Sequence, residues 1–391
     1  MKKKPWTLGI VVRLEREHRV DAPARLPEDR LCRALCEAAP AYGMRAIVLS
    51  PQNSGPRSPR MQGYTLEAGA WQFGPVVRPD VVYDRYFARS GSELLALSRL
   101  LGGAAERQGI PVLGSRLPGK LEVYRTLRRW PAGDPLLPPT VPYRGSDQLV
   151  QLLGRSRAIV LKPNGGMQGR GVLRVRLERD RGRWELWGRN SANAPLRLRF
   201  EQFEALTAEL ERIMGRRRYL VQRYLELSDA RGRPFDVRAL VQKDGRGQWR
   251  LTGQVVRLGQ PGSLTANLHG GGSAEPALDA LPRLLGARAA SNACARIEEL
   301  SLAIARRLEQ AYGRSCEFGL DYGLEPEGRL WLLEANSKPG HQAFSAGAES
   351  DFEASAMLQP LAYAHYLCSR QPALSFIETR FQAENVQEVH S

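Results

Sequence analysis

Two runs near the carboxyl end, CEFGLDYGL (316–324) and RLWLLEANS (329–337), restrict the fold more than any other feature of the chain. Each concentrates apolar residues over the length of a strand, and EPEG between them supplies a turn, so the pair predicts two neighbouring strands of a buried sheet. Phe318, Leu320, Leu330, Leu332 and Leu333 imply burial, and an acid left unpaired there is expensive. Yet Asp321 ends CEFGLD, while Glu334 and Asn336 lie two apart on the second run and therefore point to one face. A carboxylate facing a carboxylate and an amide oxygen is an oxygen-only donor set of the kind Mg²⁺ takes, with substrate phosphates and water completing its shell. The alternative reading is a solvated acidic turn.

The lysines point the same way. Of 57 Lys and Arg residues only seven are lysine: Lys2, Lys3, Lys4, Lys120, Lys162, Lys243 and Lys338. A chain that uses arginine by default and keeps Lys162 in VLKPNGGMQGRGV and Lys338 in LLEANSKPG selects a compact ammonium over a planar fork. Lys162 precedes a loop holding Gly165, Gly166, Gly169 and Gly171 between two strand-like runs. Glycines let backbone N–H groups turn toward an anion without a clashing Cβ. The P-loop pattern GxxxxGK[ST] is absent, so the loop reads as a hairpin over phosphates or as a plain glycine-rich turn.

At 391 residues the chain exceeds one small core and predicts two or three lobes. No apolar run approaches the ~20 residues of a membrane helix, and the leader MKKKPWTLGIVVRLER reads as a basic lead into a first strand, not as a secretory signal. The net charge of +16 suits an acidic neighbour, but the arginines are scattered without regular aromatic interleaving, which argues against nucleic acid as the main partner. Five cysteines with no CxxC pair indicate neither a zinc site nor a disulfide framework, and fit a reducing, cytoplasmic setting.

The opening strand (6–14), helix (28–42) and strand (45–50), followed by a loop at 51–63, predict an open α/β lobe. Strands at 79–87 and 110–115 and a helix at 92–108 complete it. Further strands are expected at 158–163, 171–179, 184–189, 219–227, 235–243 and 248–259, with helices at 201–214 and 292–311. A kinked helix is expected at 351–368. The fold class is α/β with α+β lobes, divided as 1–115, 116–218 and 219–375, with a polar tail at 376–391.

The order of these segments resembles the ATP-grasp fold behind an N-terminal open α/β domain. The resemblance covers about 110–345 and is strongest to the YheC/YheD branch, associated with the bacterial spore coat, through FDVRALVQK, VVRLG, LTANLHGGG and EFGLDYG. The ligases that add glutamate to a ribosomal protein share VQ-x-Y, D-x-R, N-L-H-x-G-G and E-x-N-x-x-P-G. The resemblance implies ATP with one or two Mg²⁺ ions, Mn²⁺ being an acceptable substitute. It places Lys162 on the α- and β-phosphates under the glycine hairpin of Gly165, Gly166 and Gly169, with Lys120 as the other nucleotide-contacting lysine. Gln222, Arg223, Tyr224 and Leu225 would edge the adenine. Glu226 or Asp229 would take the ribose, and Asp321, Glu334 and Asn336 the metal. Arg238, Arg257 and Asn267 would face the reacting centre, with an ordinary surface ion pair as the alternative for either arginine; His269 and His341 would flank it as base or as packing.

The implied reaction is an ADP-forming ligation, in which a carboxylate becomes an acyl phosphate and an amine displaces the phosphate. The partners are ATP, a carboxylate substrate and an amine acceptor that is an amino acid or peptide, in the cytoplasm, the mother cell or the spore coat. A phosphotransferase, or a coat-associated structural protein with a vestigial nucleotide site, are the alternatives. Asp321→Ala or Glu334→Ala is expected to end ATP turnover in a folded protein.

Overall fold

The computed structural model describes residues 4–15, 23–53, 61–102, 110–131, 134–166, 168–266, 271–344 and 350–370. The chain divides into two compact units. One comprises 1–114, 243–248 and 357–391; the other comprises 115–242 and 249–356.

The first unit is built on a six-stranded sheet, made by β1 (Trp6–Val11), β2 (Met44–Leu49), β3 (Gln62–Glu67), β4 (Ala70–Pro75), β5 (Val81–Asp84) and β6 (Val112–Leu113), in the order β4-β3-β2-β1-β5-β6. β1 runs parallel to β2 and β5, and β5 to β6; helices α1 (Asp29–Ala38) and α2 (Gly91–Gly102) fall between strands in sequence. This is the open α/β opening that the alternating elements predict. The hairpin β3–β4 is an addition, because β3 begins inside the segment expected to be loop. Its short strands mix Gly, Gln and Glu with only Gly63, Tyr64 and Trp71 buried, so the alternation is too weak to read. Asp29 fixes the start of α1: its carboxylate accepts from Leu26 N (3.0 Å), Trp71 Nε1 (2.7 Å) and Arg33 Nε (2.7 Å).

The second unit carries two sheets. The first has the order β11-β10-β9-β8-β12-β7, from β7 (Thr140–Pro142), β8 (Ala158–Pro163), β9 (Leu173–Glu178), β10 (Arg183–Arg189), β11 (Pro195–Phe200) and β12 (Tyr219–Arg223). One face packs Leu161, Leu173, Val175 and Leu186 against Leu149 and Leu153 of α4 (Ser146–Arg155) and Leu206 and Leu210 of α5 (Phe203–Met214). The second sheet has the order β15-β14-β13-β16-β17, from β13 (Phe235–Lys243), β14 (Trp249–Leu258), β15 (Ser273–Pro276), β16 (Glu317–Leu324) and β17 (Leu330–Asn336). The stripe Ile297, Leu300, Ile304 and Leu308 of α7 (Ala287–Tyr312) covers Val237, Ala239 and Val241, as its 3.6-residue period requires. That leaves the alternate residues Asp236 and Arg238 on the other face. α6 (Ala277–Leu285) precedes α7, α3 (Lys120–Arg128) precedes β7, and α8 (Ser350–Arg370) runs through Pro360.

Candidate active site

Between α3 and the two sheets of the second unit lies a cavity of about 500 Å³, within the range of pockets that hold nucleotide-sized ligands. Val123, Tyr124, Leu127, Leu137 and Leu332 give it an apolar end; Lys120, Lys162, Gln222, Glu334 and Asn336 give it a polar one.

Lys162 reaches the cavity from β8, where it pairs across the strand with Leu220. Its ammonium donates to Gln222 Oε1 at 3.2 Å and to the Leu333 carbonyl at 3.4 Å. Gln222 is oriented in turn, donating through Nε2 to Thr140 Oγ1 at 2.7 Å. The Leu333 carbonyl is available because β16 and β17 slip there. Asp321 pairs with Glu334 but Tyr322 pairs with Leu332, so Leu333 is the extra residue of a bulge. Desolvation, aided by the neighbouring Lys120 charge and opposed by Glu334, lowers the Lys162 ammonium to about 8. At that value most of the ammonium stays charged at pH 7, and a phosphate arriving beside it favours the charged form further.

Lys120 stands at the first turn of α3. Its ammonium bonds Glu334 Oε1 at 2.6 Å and the Gly166 carbonyl at 3.1 Å, so one side chain ties α3 to the glycine hairpin and to β17. Asn164 fixes that turn: its carbonyl accepts from Lys120 N at 2.9 Å and its Oδ1 from Leu121 N at 2.8 Å. The contact demands glycine at position 119, where a Cβ would lie 2.3 Å from Asn164 Nδ2. Gly169 and Gly171 turn the hairpin with φ of 71° and 75°, which only glycine adopts without strain.

Beside the cavity runs a row of alternating charges. Arg238, directly across from Asp321, grips it through Nε and Nη2 at 2.7 and 2.8 Å. Arg257 Nη2 lies 3.0 Å from the same carboxylate, and Arg257 also forks onto Asp236 at 2.6 and 2.8 Å. Burial pushes the Asp321 carboxyl up, but Arg238 and then Arg257 more than reverse this and hold it well below the ordinary range. Asp236 is pushed up, burial together with the Asp321 charge outweighing Arg257 and Arg238.

The site residues expected from sequence thus fall into three groups. Lys120, Lys162, Gly165, Gly166, Gln222, Glu334 and Asn336 line the cavity. Asp321, Arg238 and Arg257 form the adjoining charge row, linked to the cavity by the Asp321–Glu334 strand pair. Arg223, Tyr224, Leu225 and Glu226 follow as β12 ends: Arg223 turns outward to Glu325 and the Trp331 ring, Leu225 is buried, and Glu226 is exposed. Asp229 is committed to its own turn, accepting from Arg231 N, Arg233 N and Arg233 Nε. His341 is buried with Nε2 2.9 Å from Glu317, a contact of the packed interior. Asn267 and His269 lie outside the described residues. Asn164, Thr140 and Gln222 as a support for Lys162 were not singled out by the sequence; each acts through a cross-strand or loop contact that no local pattern encodes.

The family described as YheC/D like ATP-grasp matches residues 109–367, more than half of the chain and every element of the cavity. The chain belongs to that family. Its sequence is 26% identical over 349 residues to the endospore coat-associated protein YheC of Bacillus subtilis (strain 168), covering 86% of this chain and 89% of that one. The endospore coat-associated protein YheD of the same strain is 24% identical over 317 residues, covering 79% and 68%. Among solved structures, D-cycloserine synthetase DcsG has a similar fold, with a TM-score of 0.51 and 16% identity over 93% of this chain and 99% of that one. The fold is that of the ATP-grasp ligases.

Proposed function

We propose that the chain is an ATP-dependent, ADP-forming carboxylate-amine ligase. The observation that supports this best is the convergence of Lys120, Lys162 and Glu334 at the polar end of an apolar-walled cavity, next to an aspartate gripped by two arginines. The apolar end suits an adenine, the two ammoniums suit its phosphates, and exposed Glu226 is the better ribose acceptor because Asp229 is already engaged.

Asp321, Glu334 and Asn336 would hold a divalent ion. Among the described residues no group of three or more His, Cys, Asp and Glu forms a metal cluster, so the donor set is two carboxylates and an amide. In this structure Lys120, Arg238 and Arg257 occupy these carboxylates, and a hard cation would displace part of that pairing to bind them. A bound Mg²⁺ neutralises phosphate charge and makes the γ-phosphorus electrophilic.

The remaining work belongs to the side chains. Lys162 and Lys120 hold the phosphates in line with the acid. Arg238 and Arg257 hold Asp321 and Asp236 in this structure; exchanged onto a substrate carboxylate, their forks would match the charge that develops as it attacks the γ-phosphorus and ADP leaves. The glycine hairpin lies against Lys120 through the Gly166 carbonyl and shields an acyl phosphate from water. An amine then takes the acyl group and phosphate leaves. The names of YheC and YheD suggest the endospore coat as the setting, and the acceptor would be an amino acid or peptide.

The test is ADP release from MgATP with a panel of amino-acid and peptide acids in the presence of hydroxylamine. Hydroxamate formation in step with ADP supports the ligase; ADP with a stable phosphorylated product and no hydroxamate would replace it with a phosphotransferase.

A further inference from the structure

The face of the β8–β11 sheet turned away from α4 and α5 carries an arginine array that the ligase reading does not use. Strand alternation puts Arg174, Arg176, Arg183, Arg189, Arg197 and Arg199 on this face, with only Glu178 and Glu185 against them. Glu185 is fully buried and gathers Arg174 (2.6 Å), Arg176 (3.3 Å) and Arg197 (2.8 Å), fixing the guanidiniums in place without neutralising them. The outer members remain open: the Arg197 side chain is 55% exposed, Arg176 40%, and Arg199 is exposed. Arg197 and Arg199 lie on β11, the edge strand of the sheet, which has no outer neighbour among the described residues, and Arg176 lies two strands in, on β9.

We infer that β11 is a docking edge for an extended acidic peptide, which adds to the sheet as a strand and places alternate carboxylates on Arg197 and Arg199. The spacing fits, because alternate residues repeat at about 6.8 Å along both strands. The charge selects the occupant: like charges on a second copy of β11 repel it, whereas acidic side chains opposite arginine stabilise a strand pair. A nucleic acid is the poorer match. The aromatic ring on this face, Trp187, is covered by Arg174 at 4.3 Å and Arg197 at 5.7 Å, so no open platform is left for a base. β8 with its Lys162 is three strands from β11 on the same face, so a strand docked outside β11 would lie four inter-strand spacings, about 19 Å, from it.

Docking needs no ATP and is tested on the full chain by fluorescence anisotropy with a labelled (Glu-Thr)₆ peptide. The expected result is saturable binding, at least tenfold weaker for (Glu-Pro)₆, which keeps the charge but removes half of the backbone donors, and at least tenfold weaker for a dodecathymidylate. R197E/R199E, two surface changes away from the cavity, should lose at least tenfold for (Glu-Thr)₆ while circular dichroism stays that of the parent. Equal affinity for (Glu-Pro)₆ would leave only a charge effect and overturn strand addition. Equal affinity for the oligonucleotide, no binding of (Glu-Thr)₆, or undiminished binding by the folded double variant overturns the assignment. Were the double variant unfolded, the peptide series on the parent protein decides alone.

Discussion

Asp321 and Glu334 carry the same formal role in the proposed site but differ in what they hold. Asp321 is 6% exposed and neutralises two guanidiniums, one of them, Arg257, also buried. Removing its carboxylate leaves positive charge stranded, which costs about 3–5 kcal/mol for a buried pair broken on one side. Asp321→Ala is therefore expected to lower the melting midpoint as well as activity, contrary to the expectation from sequence that it spares the fold. Glu334 is more open, its side chain 28% exposed and paired with a half-buried lysine. Glu334→Gln should keep the parent midpoint within a degree or two and still reduce ATP-dependent ADP release by at least a hundredfold. Calorimetry beside a coupled ADP assay reads both; equal destabilisation by the two changes would contradict the ion-pair geometry.

At the scale of elements, what positions the chemistry is how α3 and the glycine hairpin are joined. Gly119→Ala puts a methyl 2.3 Å from Asn164 Nδ2, so either Asn164 or the start of α3 must move, and Lys120 moves with it. The expected outcome is a loss of nucleotide affinity of about tenfold, measured by titration calorimetry, with the far-UV spectrum unchanged. α1 supplies a second case. Burial raises the Asp29 carboxyl, but bonds from Leu26, Trp71 and Arg33 outweigh it, so the folded value is depressed. The stability this gives is present above the unfolded carboxylate value and is lost as pH falls through the folded one. Asp29→Asn should lower the midpoint at pH 7, and the gap to the parent should shrink steadily with acidification below pH 4.

These elements also mark how far local pattern reaches. β8 and β13 have the bounds their apolar runs predict, β16 starts one residue later than expected, and β17 is one residue shorter at each end. α4, α6, β7, β11 and β15 are structured segments that the sequence reading left unassigned. α6 contains Pro282, β7 and β15 are only three and four residues, and β11 exposes most of its length, so each lacks a clear apolar period. For the site, residue types and strand faces were legible. The partners were not: Arg238 meets Asp321 only because β13 lies beside β16 in one register, and the Leu333 carbonyl meets Lys162 only because of a bulge.

For the molecule as a whole, the proposed ligand should register as stability. Ligand at a hundred times its dissociation constant stabilises the native state by about 2.7 kcal/mol, provided the unfolded chain does not bind it. MgATP should accordingly raise the melting midpoint of the parent by several degrees, more than Mg²⁺ or ATP alone, and Glu334→Gln should abolish most of the excess. Because the protein carries a net charge of +16, any polyanion gives some shift by non-specific association. Salt separates the two, since surface attraction is largely screened at ~0.5 M while a ligand enclosed by Lys120 and Lys162 is screened less. A shift that survives such salt, is specific for MgATP and accompanies ADP release supports the ligase. The same shift without ADP from any acid would make the nucleotide a structural ligand, and a shift that vanishes with salt would remove the cavity from the account of ATP binding altogether.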